Sequence, residues 1–345
     1  MMKKKEKDLL NFVSNLAGEN YLKIEEDLGE GFVKLKIDEA EKRQAKHDIR
    51  EVEDVLIELL RNARDAGATK IFIATRKRND SIRELIVIDN GCGIPAEIKT
   101  RVFEPRVTSK LNDLRIDRYG VHGRGMALFA VKHHSESVKI INTAIKKGSV
   151  FKVEIDTVKL PEKTNQSTLP NIVVEKNNIR VSRGINNLWR IIIEFWIDSQ
   201  DLEIYFGSPA EIISTMIKVA RKENEDIKTI WSKCRDIETA KELMKAVKEF
   251  YGINLSERNI YRVINSEIES LLDIKNYLIV ALNIKKKISS GKKISREDME
   301  IFSKKIEREA RKLAKKYLLG LNSVRIRQES DKIKITVNLK EKDNI

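Results

Sequence analysis

Three short motifs, in a fixed order between residues 58 and 126, constrain this chain more than any other feature. The first is a predicted helix that presents Glu58, Asn62 and Asp65 on one face, because positions i, i+4 and i+7 are neighbours on a helix. The second is a sharp turn after a strand, at residues 89–93, and the third is a glycine-rich run at residues 120–125. Structural needs alone rarely produce all three in this order with strands between them.

The helix motif combines a carboxylate with an amide. Glu58 lies between Ile57 and Leu59, so its burial costs free energy unless it has a partner or a chemical task. Asn62 offers an oxygen, and Mg²⁺ prefers a few protein oxygens together with phosphate oxygens. A satisfied polar network in a core would also explain this pair, if the pair stood alone.

The two glycine motifs suit a flat ring and an anion. The Asp89 carboxylate can accept a hydrogen bond from an exocyclic amine, and Gly91 and Gly93 let the backbone approach a ring closely. The later glycine run opens the apolar stretch that begins at Met126, and such turns at a helix start cradle anions with backbone N–H groups. Each motif is weak alone, but together they favour a nucleotide site.

Residues 58–68, Glu-Leu-Leu-Arg-Asn-Ala-Arg-Asp-Ala-Gly-Ala, resemble the N-box helix of the GHKL superfamily. That group includes gyrase-type and type VI topoisomerases, MutL mismatch-repair proteins, heat-shock chaperones and histidine kinases. Residues 89–94 resemble its adenine-binding box and residues 120–128 its lid. The resemblance covers roughly residues 52–155 and implies an α/β fold, a Bergerat-type two-layer sandwich with helices on one face of a mixed sheet.

The resemblance also implies roles and cofactors. Glu58 would be the general base, Asn62 would hold Mg²⁺, and Asp89 would bind the adenine amine of ATP. The other expected nucleotide contacts are Gly91, Gly93, Ile94, Thr108, Ser109, Lys110, Gly120, Val121, His122, Gly123, Arg124, Gly125 and Met126.

The subfamily stays open. Residues 65–69 and 108–111 look like MutL segments, whereas the lid spacing Gly-x-x-Gly-x-Gly is closer to topoisomerases, chaperones and kinases. The Gly-Thr element of such domains could be represented by residues 148–149 or 166–168. His47 with the next three residues imitates a kinase phosphoacceptor box, but it lies on the Glu58 helix or just ahead of it. We therefore expect His47 to be a surface histidine.

We expect three parts: an N-terminal extension (residues 1–30), an ATP-binding domain (31–206) and a mainly helical C-terminal domain (207–345) that ends in a β-hairpin. Ser208 and Pro209 are a good N-cap and first helical residue, which places the boundary there. Trp189 and Trp196 alternate with isoleucines and are expected in the core of a strand. Strands are predicted at residues 32–37, 70–75, 84–88, 150–155, 190–197 and 202–206, and the hairpin at 323–328 and 332–339.

Charge and composition say less. The formal net charge of +14 can attract nucleic acid or another anionic surface, although a lysine-rich proteome would produce it too. Lys285, Lys286, Lys287, Lys292 and Lys293 form the best candidate for a DNA-contacting patch. The sequence shows no signal-like apolar run and no stretch long enough to span a membrane. We therefore expect a cytoplasmic protein without membrane contact.

The sequence thus predicts an ATPase that acts as an ATP-driven conformational switch. DNA is a candidate partner, and a homodimer or a protein partner bound through the C-terminal helices is expected. The alternative is a nucleotide-binding regulatory or scaffold module with little turnover, against which the presence of Glu58 argues. A histidine-kinase-like protein would need a phosphoacceptor helix that the sequence does not show.

Overall fold

The computed structural model describes residues 24–109, 115–122, 125–175, 178–182, 184–223, 229–289, 296–317, 319–328 and 333–341. It divides into two compact units, Met1–Lys275 and Asn276–Ile345. Of the helices in these ranges, none combines the length and the apolar character that crossing a bilayer requires.

The strands of the first unit form one central sheet and several small ones. They are β1 (Ile24–Gly29), β2 (Phe32–Leu35), β3 (Lys70–Arg78), β4 (Ile82–Asp89), β5 (Val107–Thr108), β6 (Arg115–Asp117), β7 (Gly120–His122), β8 (Ser137–Ala144), β9 (Gly148–Asp156), β10 (Ile172–Glu175), β11 (Asn178–Val181) and β12 (Glu203–Gly207). β1 falls within the predicted N-terminal extension, of which residues 1–23 lie outside the described part.

The helices of the first unit are α1 (Glu39–His47), α2 (Val52–Asp65), α3 (Ala127–His134), α4 (Leu188–Asp198), α5 (Pro209–Lys222), α6 (Ala240–Tyr251) and α7 (Glu257–Ile264). The helix α8 (Ile274–Ser289) begins at the end of this unit. The second unit contains the helix α9 (Arg296–Lys316) and the hairpin strands β13 (Leu319–Gln328) and β14 (Ile333–Glu341).

The central sheet is mixed, in the order β12-β3-β4-β9-β8. β12 runs parallel to β3, and the remaining pairs are antiparallel. The β3–β4 connection is a three-residue turn at residues 79–81, since Arg78 pairs with Ile82, and Asn79 and Asp80 in this turn both have positive φ. The α/β fold with a mixed sheet agrees with the architecture that the sequence implies.

Helices cover the sheet on both faces, whereas the resemblance implies helices on one face only. Along β3, Phe72 and Ala74 belong to a buried cluster that also contains Met216 and Trp231, from the chain after β12. The intervening Ile71 and Ile73 are fully buried on the opposite face, since strand side chains alternate. That second face lies towards α2, which contacts β4.

The chain beyond Phe206 shares the core of the sheet. Ser208 caps α5 in a capping box with Glu211, as the sequence predicts. α5 then packs on β3 and β12, and Trp231 lies with its ring centroid 5.2 Å from that of Phe72. The predicted boundary at Phe206 therefore falls inside the first unit, and the division between compact units lies at Lys275.

The strand predicted at residues 190–197 is wrong, because this segment is the helix α4. The Asn187 side chain accepts a hydrogen bond from the N–H of Arg190 and so caps the helix. Trp196 is 4% exposed and lies in the core, as expected, although on a helix. The segment is apolar almost throughout, so its pattern fits a buried helix as well as a strand.

Trp231 tests whether the helices after β12 fold with the sheet. Trp231→Ala should lower the free energy of unfolding by about 3–5 kcal/mol, because it empties a buried aromatic site against Phe72. Hydrogen exchange of the β3 and β4 amides should accelerate accordingly. Met244→Ala, at a 40% exposed site on α6, is the matched control and should change little. Unchanged protection of β3 and β4 in the Trp231 variant would show that the helices form a separate domain.

Candidate functional site

A cavity lies on the α2 face of the sheet, where α1, α2 and α3 approach the end of β4. All three sequence motifs contribute to its wall. The predicted site residues that line it are Glu58, Asn62, Asp89, Gly93, Ile94, Thr108, Ser109, Gly125 and Met126.

Asp89 is the buried acid of this cavity. Its carboxylate accepts a hydrogen bond of 2.8 Å from the N–H of Gly91, and its residue pairs with Ser149 of β9 in the sheet. Burial raises the pKa of Asp89 to about 7, against the opposing effect of backbone N–H groups of Gly91 and Ser149. A carboxylate in this position can accept a hydrogen bond from an amine of a ligand.

Close backbone approaches form the floor beside Asp89. Gly148 has a φ of +99°, and a Cβ there would lie 1.9 Å from the carbonyl oxygen of Asp89. Gly93 has a φ of +73°, and its Cβ would lie 2.1 Å from the carbonyl oxygen of Ala144. The Thr143 hydroxyl accepts from the N–H of Ile94 at 2.8 Å and so ties β8 to the turn after β4. Only glycine fits at these two contacts.

Of the two candidates for the later Gly-Thr element, the structure brings residues 148–149 to the cavity. Ser149 is part of the wall. The side chain of Gln166 instead donates to Glu53 and accepts from the N–H of Leu188 at 2.9 Å. Residues 166–168 therefore anchor a surface loop to α2 and α4.

Glu58 faces the cavity and shares an ion pair with Arg61, whose Nη1 lies 2.5 Å from Oε1 of Glu58. Arg61 also binds Asp117 at the end of β6, with 3.0 Å between Nε and Oδ2 and a second contact through Nη2. Burial raises the pKa of Glu58, while the Arg61 guanidinium acts in the opposite direction. The chain Glu58–Arg61–Asp117 thus links α2 to the β6–β7 hairpin.

Arg61 and Asp117 are functional candidates that sequence reasoning missed. Arg61 lies within residues 58–68, on the buried side of α2. A charged residue at such a position indicates a buried carboxylate partner. Asp117 lies 56 positions further along the chain, and nothing in its local sequence indicates that it meets Arg61.

Asn62 has an amide that the described residues leave without a hydrogen bond on Nδ2, although that atom is buried. It lines the cavity one turn after Glu58. An unpaired buried amide N–H in the cavity wall fits a residue that donates to an acceptor oxygen of a ligand. Within the described ranges, no group of three or more His, Cys, Asp or Glu side chains is placed to hold a metal by itself, so any Mg²⁺ there would need phosphate oxygens.

The segment around Gly125 is held by the small sheet of β1, β2 and β5. The carbonyl of Gly125 accepts from the N–H of Arg106 at 2.9 Å, and Thr108 pairs with Val33 in β2. A Cβ at Gly125 would lie 3.0 Å from the carbonyl oxygen of Val107. This contact places Thr108, Ser109 and Gly125 together in the cavity wall.

The remaining predicted contacts divide into two groups. Gly91 donates to Asp89 and does not itself line the cavity, and Gly120, Val121 and His122 form β7, where the side chains of Val121 and His122 lie outside the described part of the structure. Lys110, Gly123 and Arg124 lie outside the described residues.

Two arginines near the predicted nucleotide contacts form ion pairs with residues of α1 and α4. Arg106 forms an ion pair with Glu41 of α1, and Arg118 binds Asp198 of α4 with 2.5 Å between Nε and Oδ2. His47 is exposed at the end of α1, ahead of the Glu58 helix, as a surface histidine should be.

Comparison with known proteins agrees with this geometry. Residues 47–159 match the family described as histidine kinase-, DNA gyrase B-, and HSP90-like ATPases. This segment includes α2, the Asp89 turn, the residues around Gly125 and the β8–β9 hairpin. It is roughly a third of the chain.

Curated relatives are similar to this chain over short segments. DNA mismatch repair protein MutL from Bartonella quintana is 44% identical over 75 residues, which are 22% of this chain and 12% of the relative. MutL from Thermus aquaticus is 42% identical over 82 residues, 24% of this chain and 15% of the relative. MutL from Allorhizobium ampelinum is 30% identical over 122 residues, 35% of this chain and 19% of the relative. The similarity therefore spans less than a fifth of each of these relatives.

The raised pKa of Asp89 predicts a pH dependence of adenine nucleotide binding. The ionised carboxylate is the better acceptor for the adenine amine, so affinity should increase by up to about tenfold from pH 6 to pH 8 as a group with a pKa of about 7 loses its proton. Calorimetry with a non-hydrolysable ATP analogue measures this change. The Asp89→Asn variant should bind the analogue more weakly and should lose the part of the pH dependence that comes from Asp89. The pH dependence that remains in this variant measures the titration of the phosphates. Affinity that falls as the pH rises would contradict the assignment.

The buried Arg61 predicts a stability effect at Asp117. Asp117→Asn should lower the free energy of unfolding by about 3 kcal/mol, because it removes one of two carboxylates from a guanidinium whose side chain is 6% exposed. Asp198→Asn is the matched control: its partner Arg118 is 36% exposed, so the loss should stay below about 1 kcal/mol. Equal losses in urea denaturation would show that burial of Arg61 does not decide the effect.

Proposed function

We propose that this protein is a GHKL-type ATPase that binds ATP with Mg²⁺ and hydrolyses it as a conformational switch, since residues 47–159 match the family of histidine kinase-, DNA gyrase B-, and HSP90-like ATPases. The observation that carries the proposal is the convergence of Glu58, Asn62 and Asp89 on one cavity wall together with Thr108, Ser109 and Gly125. An adenine amine would meet Asp89, and the phosphates would lie towards Asn62 and the segment around Gly125.

Glu58 is the proposed general base. Its carboxylate lines the cavity, and burial raises its pKa, which strengthens it as a proton acceptor. Arg61 binds the same carboxylate and so fixes its direction on α2. In this position Glu58 can take a proton from a water molecule that attacks the terminal phosphate.

Asn62 is the proposed Mg²⁺ ligand, through its amide oxygen. Asn62 lines the cavity wall, and its Nδ2 has no hydrogen-bond partner among the described residues, so the side chain is available to a ligand. Mg²⁺, when bound, neutralises charge on the phosphate oxygens. The protein's own part is to hold Asn62 one helical turn from Glu58, so that the cation and the base face the same phosphate.

Two links to the lid region support the switch. Gly125 is bound to the β5 segment through Arg106, and the β6–β7 hairpin is bound to Glu58 through Arg61 and Asp117. A nucleotide that binds between them changes the contacts of both segments with α2. Hydrolysis would then reset these contacts.

The biological process is proposed from the relatives alone. The similar segments belong to proteins named as DNA mismatch repair proteins, so we propose a role in a DNA transaction, with a homodimer or a protein partner. A cytoplasmic location goes with that proposal. A nucleotide-binding module with little turnover is the alternative, and an ATPase assay on the wild-type chain separates the two.

Glu58→Ala is the variant that tests the base. It should retain ATP binding but reduce the steady-state rate of hydrolysis by about a hundredfold or more, because general base catalysis contributes a factor of this order. Phosphate release measures turnover, and calorimetry measures binding. Glu97→Ala changes an exposed glutamate outside the cavity wall and serves as the control. Hydrolysis that survives intact in the Glu58 variant would remove Glu58 from the mechanism.

A further inference from the structure

Positive charge is concentrated in the second compact unit. Residues 276–345 contain 19 lysines and arginines against 9 aspartates and glutamates, a net charge of +10. The whole chain carries +14, so a fifth of its residues supply most of the excess. A bias spread over a lysine-rich proteome would not by itself divide the two units in this way.

Helix α9 sorts these charges onto one side. At 3.6 residues per turn, the cations of its last four turns fall within an arc of about 140°, opposite the buried Ala310 and Ala314. The arc is about 18 Å long from its first to its last cation. We call it the cationic face of α9; it comprises the exposed residues Lys304, Lys305, Arg308, Arg311, Lys312, Lys315 and Lys316.

Few carboxylates neutralise this face. Glu307 binds Arg311 at 2.6 Å and Glu309 binds Lys312 at 2.8 Å. Within the described residues, no ion pair is formed by the central Lys304, Arg308 or Lys315. Unpaired like charges one turn apart repel each other and weaken a helix by a few tenths of a kcal/mol per pair, so the face costs stability unless an anion binds there.

The hairpin repeats the pattern. Arg325 and Arg327 of β13 and Lys334 of β14 lie on one face, because Arg327 pairs with Lys334 and strand side chains alternate. The paired Ile326 and Ile335 lie on the other face. All three cations are exposed. The unit thus presents cations from two different kinds of secondary structure.

We propose that the cationic face of α9 binds the phosphate backbone of duplex DNA. The cations are regularly spaced along about 18 Å, and this arrangement matches a linear array of phosphates. A compact acidic patch on a protein would not require such an extended row. A membrane surface fits less well, because the side of α9 opposite the cations contains the buried Ala310 and Ala314, which leave, of the described apolar side chains there, only Leu313 and Tyr317 exposed to enter lipid. This proposal rests on the DNA role proposed above and assigns that role to α9. Its evidence is the distribution of charge in the second unit.

The predicted basic cluster gains no support here. Lys292 and Lys293 lie outside the described residues, as do the side chains of Lys285, Lys286 and Lys287.

The test compares two triple variants of the full chain. One changes Lys304, Arg308 and Lys315 to glutamine, a good helix former that removes the charge. The matched control changes Lys241, Lys245 and Lys248, three exposed lysines on one face of α6, to glutamine. Fluorescence anisotropy with a labelled DNA duplex of mixed sequence, without nucleotide, gives Kd across a range of KCl concentrations.

The α9 variant should bind the duplex at least tenfold more weakly, and its log–log salt dependence should be shallower by about 2.7, since each lost phosphate contact contributes about 0.9. The α6 variant should bind like the wild type. Equal losses in both variants, or no binding by the wild type, would overturn the proposal. Stronger binding to anionic phosphatidylserine vesicles or to polyglutamate than to the duplex would also overturn it.

Hydrolysis of ATP in the absence of DNA should be equal in the wild type and both triple variants. Absence of turnover in the wild type would count against the proposed ATPase and leave the DNA measurement intact. Weaker duplex binding together with normal turnover in the α9 variant would show that DNA binding and ATP hydrolysis depend on different parts of the chain.

Discussion

The burial of Asp89 at the end of β4 is the constraint on which the site depends. The carboxylate is 3% exposed because the β8–β9 turn closes over it, and that turn can close only where Gly148 approaches the carbonyl of Asp89. Desolvation then raises the pKa of Asp89. The pairing of β4, β8 and β9 therefore determines both the shape of the sheet at this end and the burial of Asp89.

A second buried charge connects this rigid floor to the segments above it. Arg61 must keep carboxylate partners because an unpaired guanidinium inside the protein costs several kcal/mol. One partner, Glu58, belongs to α2, and the other, Asp117, belongs to the β6–β7 hairpin. The position of the hairpin is thus tied to the proposed base, which gives a physical route by which a bound nucleotide could alter the lid.

Local patterns predicted much of the fold and the wall of the site. The α2 helix, the β3–β4 hairpin and the α5 cap follow from short-range rules of periodicity, turn residues and capping. Asp89 and Gly93 were found because the turn that carries them is contiguous. The α4 segment was predicted as a strand because a nearly continuous apolar run has no clear period, and only the Asn187 cap and the packing around Trp196 decide for a helix.

The sequence by itself determined the order of the motifs, the identity of Glu58, Asn62 and Asp89, and the mixed α/β class. It did not determine that Thr143 and Ser149 complete the floor, that Asp117 reaches Arg61, or that helices after Phe206 bury the face of the sheet opposite α2. Each of these contacts joins residues far apart in the chain. Such pairs leave no periodic or local signal, because their free energy is gained only when the sheet has brought the segments together.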